Sequence, residues 1–175
     1  MLLKILLKGH GGKNVKFKQF QFLRNEAVKK LHQLDKEPMH LRSRTIEDAL
    51  GADAVMLAYI GDAVYSMYVR ERVVQMNISK VQVLHTIVTE FICARSQAKV
   101  LQVLETTFTE DEQAVARRAR NSHVNVPKSS SVQEYRSSTA FEAVLGFLYE
   151  TRQDERLQML MREAFSATLQ GMNHG

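Results

Sequence analysis

Two stretches of this chain are apolar at almost every position, yet each holds one carboxylate. Ala54–Val69 reads AVMLAYIGDAVYSMYV with Asp62 as its single charge, and Ser137–Tyr149 reads SSTAFEAVLGFLY with Glu142 as its single charge. Helices that are apolar all round belong to a core rather than to a surface. The neighbouring pattern is helical too. It predicts a helix over about 52–75, then one that opens at a capping box, Ser79-x-x-Gln82, and runs to about 104. In that second helix Val81, Leu84, Val88, Ile92, Cys93, Val100 and Leu104 recur at helical spacing. Thr109-x-x-Glu112 opens a further helix to about Arg120. Residues 121–134 have no periodicity, are rich in Ser and Asn, and read as a loop. Helices follow over Tyr135 to about Glu150 and Asp154 to about Leu169, with Gly171 as the expected stop. No strand-like alternation and no internal repeat is visible. The fold class is all-α.

Residues 15–34 predict a basic helix with Val15, Phe17, Phe20, Phe22 and Leu23 as apolar contacts, and Gly-His-Gly-Gly before it favours a flexible join. Residues 1–45 therefore read as a basic N-terminal extension and 46–175 as the principal domain; Met39 is a plausible alternative start. Charge separates the two parts. Residues 1–45 hold 11 Lys/Arg against 3 Asp/Glu, a balance of +8, whereas residues 46–175 hold 13 against 16, a balance of −3. Cys93 is the single cysteine, which excludes an internal disulfide framework and a zinc-type Cys/His cluster and suits a reducing cytoplasm. The first residues do not form a signal-peptide pattern, and Ala54–Val69 is too short for a membrane span. A soluble, cytoplasmic protein without a membrane partner is expected.

A carboxylate buried without a partner is costly. It must neutralise, pair with a cation or bind a metal. On a helix Asp62 shares its face with Ala58, Tyr59, Tyr65 and Ser66, beside Gly61; Glu142 shares its face with Ser138, Thr139, Leu145 and Gly146. Glycine inside a helix costs about 1 kcal/mol relative to alanine, so it usually marks close approach by a neighbour. Two helices could then cross with their carboxylates facing one another. Besides one acid simply being exposed at the end of a crevice, two outcomes remain open from the residues alone. One is a pair of structural ion pairs, Asp62 with Arg70 or Arg95 and Glu142 with Arg136 or Arg95. The other is an all-oxygen site for a hard divalent cation such as magnesium or manganese. Arg117, Arg118, Arg120, Lys128 and Arg136 face only Glu134 within residues 117–136, a local basic patch suited to a polyanion.

LAYIGDAVY at Leu57–Tyr65 resembles the signature helix of the ribonuclease III family, and YRSSTAFEAVLGFLY at Tyr135–Tyr149 resembles that family's second acidic helix. The likeness is closer to the Mini-III subfamily: it extends to Leu84–His85, ARSQAKVL at Ala94–Leu101, RARN at Arg118–Asn121 and PKSSSVQEYR at Pro127–Arg136. It spans about residues 50–170 in order. It implies a dimeric, all-α endoribonuclease that cuts double-stranded RNA with Mg2+ (Mn2+ as an alternative) and matures the 5′ and 3′ ends of 23S ribosomal RNA precursor. Implied partners are the RNA duplex, a second copy of the chain and, as a further candidate, a large-subunit ribosomal protein.

Carried over onto this sequence, Asp62 and Glu142 are the catalytic and metal-binding residues. Two further acids of larger relatives are replaced by Ala58 and Thr139, so weaker metal binding is expected, with Thr139 or Ser138 as candidates to hold a metal-bound water. Nothing after Glu150 is long enough for a double-stranded-RNA-binding domain. RNA contacts then fall to Arg118, Arg120, Lys128 and Arg136, with Arg95 and Lys99 as weaker candidates. His85 is expected to pack between helices rather than to act in catalysis. The thinned acid set also leaves room for a non-catalytic RNA-binding or ribosome-assembly module, and for a helical interaction protein whose acids pair with arginines.

Overall fold

The computed structural model describes residues 13–34, 44–122 and 131–172. The chain divides into two compact units, Met1–Arg42 and Ser43–Gly175. The described part of the first is one helix, α1 (Lys13–Leu34). Phe17, Phe20, Phe22 and Leu23, expected as apolar contacts, are exposed on it, and Glu26 pairs with Lys29.

The second unit holds α2 (Ile46–Gly51), α3 (Ala54–Val74), α4 (Val81–Ile92), α5 (Ala94–Leu104), α6 (Glu110–Arg120), α7 (Val132–Glu150) and α8 (Asp154–Met172), with a 3-10 turn at Glu105–Thr107. No strand occurs among the described residues, and none of their helices is long and apolar enough to cross a membrane. α7 is the axis of the unit. Every residue from Ser138 to Leu148 is buried, as a helix apolar all round requires. α3, α5, α6 and α8 pack around it. The aromatic core joins these layers: Tyr65 of α3 stands edge-on to Phe141 of α7 at 5.2 Å, and Phe91 of α4 stacks on Phe165 of α8 at 4.5 Å.

Three expectations about the elements need correction. Ser79 does not cap α4; the cap position is Lys80, which makes no side-chain cap bond. The expected continuous helix to 104 is broken at Cys93, whose extended backbone (φ −74, ψ 149) ends α4 and starts α5. An unbroken helix over those residues would be about 36 Å long, more than a small domain's diameter. The break lets Gln97, Ala98, Val100, Leu101 and Leu104 turn inward against α7. Gly171 does not stop α8, which continues to Met172. In addition, His85 is exposed rather than packed, because the buried side of α4 is Val88 and Phe91.

The capping box at Thr109 and Glu112 forms as expected. A second one, Ser131 with Glu134, starts α7 one turn earlier than the periodicity indicates.

Candidate active site

The geometry of the site begins with two glycines. A Cβ added at Gly61 of α3 would fall on the carbonyl oxygen of Glu142, and one added at Gly146 of α7 would fall on the carbonyl oxygen of Leu57. Side chains at these positions would force the helices apart, so α3 and α7 cross backbone against backbone. Asp62 follows Gly61 directly, and Glu142 lies one helical turn before Gly146. The crossing therefore brings the two isolated acids together.

Glu142 is only 8 % exposed, and Asp62 is half-buried. Burial raises the Glu142 pKa well above the ordinary carboxyl value; the neighbouring Asp62 charge raises it further, and the Gln97 amide opposes the rise. Burial also raises the pKa of Asp62, against an opposing contribution from Arg70. The Tyr135 phenol is raised by burial and then by the charges of both Glu142 and Asp62, so it lies in the field of the pair.

The ion pairs among the described residues are Lys29–Glu26, Arg44–Glu150, Arg120–Glu105 and Arg156–Glu112. Neither Asp62 nor Glu142 is in one. Arg70, a candidate partner, donates to the Ser66 carbonyl at 3.0 Å. Glu112 makes the contrast plain. It is 1 % exposed, yet Arg156 donates to both its oxygens at 2.8 Å, and the Thr109 N–H donates to it at 2.9 Å. A buried structural acid here is a satisfied acid.

The donor set at the crossing fits a hard cation that keeps several waters: carboxylate oxygens, with no cluster of three or more His, Cys, Asp or Glu among the described residues. The replaced acid positions are both buried, Ala58 at 3 % and Thr139 at 5 % exposure. The Thr139 and Ser138 hydroxyls each donate to the Tyr135 carbonyl at 2.9 Å. Their oxygens retain lone pairs.

The basic residues are spread along one stretch of surface elements. Arg118 is half-buried and donates to the Ala52 carbonyl at 3.2 Å, with its Nη2 buried and unpartnered. Arg120 pairs with Glu105 at 2.8 Å and lines a cleft of about 470 Å3 together with Arg136, Asn121 and Ser137. Arg136 is exposed. Arg95 and Lys99 are exposed on α5, act on the Glu134 carboxyl at the start of α7, and line a second cleft of about 410 Å3. Lys128 lies outside the described residues.

Two residues of this site escaped sequence reasoning. Gln97 is buried beside Glu142; its signal was a polar residue inside the inward stripe of α5. Tyr135 lies seven residues before Glu142, two turns along the same face of α7.

Residues 55–153, which contain both acids, match the Ribonuclease III domain family. This chain belongs to the ribonuclease III family. It is an endoribonuclease. Within the family it is similar to proteins named Mini-ribonuclease 3. It is 38 % identical to that of a Thermoanaerobacter species over 118 residues, covering 67 % of this chain and 83 % of the relative. It is 42 % identical to that of Staphylococcus aureus over 111 residues, covering 61 % and 82 %. The Clostridium tetani relative is 35 % identical over 138 residues, covering 75 % and 91 %. A crystal structure of a Fusobacterium nucleatum protein superimposes with a TM-score of 0.60 at 25 % identity, over 63 % of this chain and 90 % of that one. The ribonuclease III match begins within α3, so α1 lies outside it.

Proposed function

We propose that this ribonuclease III family member hydrolyses double-stranded RNA at a Mg2+ site held by Asp62 and Glu142, with Mn2+ as an alternative ion. The observation that carries this reading is the crossing at Gly61 and Gly146: two acids brought together with no ion pair among the described residues, in a fold whose other deeply buried acid has one. When bound, the cation supplies Lewis acidity, both to generate a water nucleophile near neutral pH and to offset charge on the scissile phosphate. Glu142 forms the buried floor of the site and Asp62 its solvent side. Water adds to phosphorus, the bond to the 3′-oxygen breaks, and the products are a 5′-phosphate and a 3′-hydroxyl.

Arg120 and Arg136 in their cleft, with Arg95, Lys99, Arg118 and Lys128, are the proposed phosphate contacts. A-form duplex is read mainly through phosphates and 2′-hydroxyls, so binding through these residues weakens as salt rises. The working unit is a homodimer. Met56, Tyr59, Ala63 and Met67 form an exposed apolar row on α3, with Met56 at 63 % and Met67 at 58 % exposure. A two-fold dimer supplies one site per strand of the duplex. The likeness to Mini-III proteins supports the ends of 23S ribosomal RNA precursor as the substrate, in the cytoplasm, with a large-subunit ribosomal protein as a candidate presenter of it.

The test is cleavage of long duplex RNA with and without Mg2+. Asp62→Asn is expected to lower the rate by about 100–1,000-fold, with a melting temperature no lower than the parent's and unchanged RNA affinity, as loss of a key electrostatic group in an active site does. Normal cleavage by that variant would refute the assignment. RNA binding without any cleavage by the parent protein would make it a binding module instead.

A further inference from the structure

Gln97 is 1 % exposed, as deeply buried as Glu112. Glu112 is fully satisfied, whereas Gln97 Nε2 has no hydrogen-bond partner. An unpaired buried amide donor costs about 1–3 kcal/mol, a cost that leucine or methionine at the same position would not carry. Packing therefore does not account for glutamine here. Its surroundings do. Gln97 lies in the inward stripe of α5 with Ala98, Val100 and Leu101, which faces α7, and its amide acts on the Glu142 carboxyl. The orphan donor is thus next to a buried carboxylate that forms no ion pair among the described residues.

We propose that Gln97 is a positioning residue for the cation site: its carboxamide donates to one oxygen of ionised Glu142 and so presents the other oxygen to the divalent ion. The inference rests on the metal-site reading of Asp62 and Glu142. Hydrogen bonds to ionised acceptors are roughly twice as strong as neutral ones, so a carboxamide donor suits a carboxylate that ligates a cation. Such outer groups fix the orientation of metal ligands, and their loss typically weakens metal binding about 10–100-fold. Gln97 would offset part of what the chain lacks at Ala58 and Thr139.

The test is Mn2+ binding by the full-length protein without RNA, followed by electron paramagnetic resonance of the free ion. Gln97→Met keeps the side chain's shape and removes the amide; Gln97→Asn keeps the amide but withdraws it by one methylene. Both are expected to bind Mn2+ about tenfold or more weakly, with RNA affinity unchanged and cleavage recovered at high Mn2+. Gln97→Met is expected to melt no lower than the parent, since it removes an orphan donor. Parental Mn2+ affinity in both variants would overturn the proposal, and so would weakened binding that tracks a fall in melting temperature. Asp62→Asn separates this inference from the reading beneath it. If Asp62→Asn loses Mn2+ while Gln97→Met retains it, only the role of Gln97 falls. If Asp62→Asn binds Mn2+ as the parent does, the metal site itself is refuted and Gln97 with it.

Discussion

Among single residues, the two deeply buried acids differ in what surrounds them. Glu112 accepts from Arg156 and from a backbone N–H, so it is a paired, structural acid. Glu142 has burial and Asp62 against its charge, so its folded-state pKa lies above the ordinary carboxyl value. For such a group the stability contribution is fully present below the unfolded carboxyl pKa. It is lost as pH rises through the raised folded pKa. The metal-free protein is therefore expected to lose stability over that window as pH increases. Glu142→Gln, which cannot ionise, should abolish cleavage and yet melt higher than the parent above the window, by roughly 2–4 °C for each 1 kcal/mol relieved. Below the window the two should melt alike. Thermal unfolding in chelator across pH measures this, and adding Mg2+ should stabilise only the parent. Equal melting of parent and variant at every pH would mean that Glu142 is not strained in the metal-free state.

For the helices, the α3–α7 crossing is the feature on which the site depends. Gly61→Ala would gain about 1 kcal/mol of helix propensity. It would also place a methyl on the Glu142 carbonyl oxygen, which is backbone and cannot swing aside. Overpacking typically costs about 1–3 kcal/mol, and more where backbone must move. The expected net result is a melting temperature lower by on the order of 5 °C and a loss of cleavage, because separating the helices re-aims both acids. Gly171→Ala in α8 is the matched control. Nothing lies within 4 Å of its added Cβ, so it should melt no lower than the parent. The core helices themselves were legible from pattern: the extents of α3 and α6 and the C-terminal end of α7 follow from apolar runs and the Thr109 capping box. The break at Cys93 was not. A 3.6-residue period shows which positions are apolar on a straight helix, but not where two helices change direction to follow a curved core.

For the molecule as a whole, the exposed row Met56, Tyr59, Ala63 and Met67 lies on the same helix as Asp62. A dimer through that face would link assembly to the site. Met67→Asp is expected to give a monomer in sedimentation experiments while retaining the helical circular dichroism of the parent. Its rate of double-strand cleavage should fall at least ~100-fold, because burying an unpaired charge costs several kcal/mol at the interface. A Met67→Asp protein that remains dimeric would place the interface elsewhere.

Sequence alone determined an all-helical chain, a charge division between an arm and a mildly acidic domain, and two carboxylates in surroundings that demand an explanation. Those conclusions depend on local spacing and on the cost of burying charge, both of which are written in the order of residues. Tertiary structure decided which acids have a cationic partner among the described residues. No spacing rule assigns Arg156 to Glu112, 44 residues away, or keeps Asp62 and Glu142 out of the ion pairs of the described residues. Gln97 falls at the helical spacing of Cys93, Val100 and Leu104, but only the inward turn of α5 buries its amide beside Glu142. Pairing is a property of the packed chain, because a buried charge is satisfied by whichever group the fold brings near.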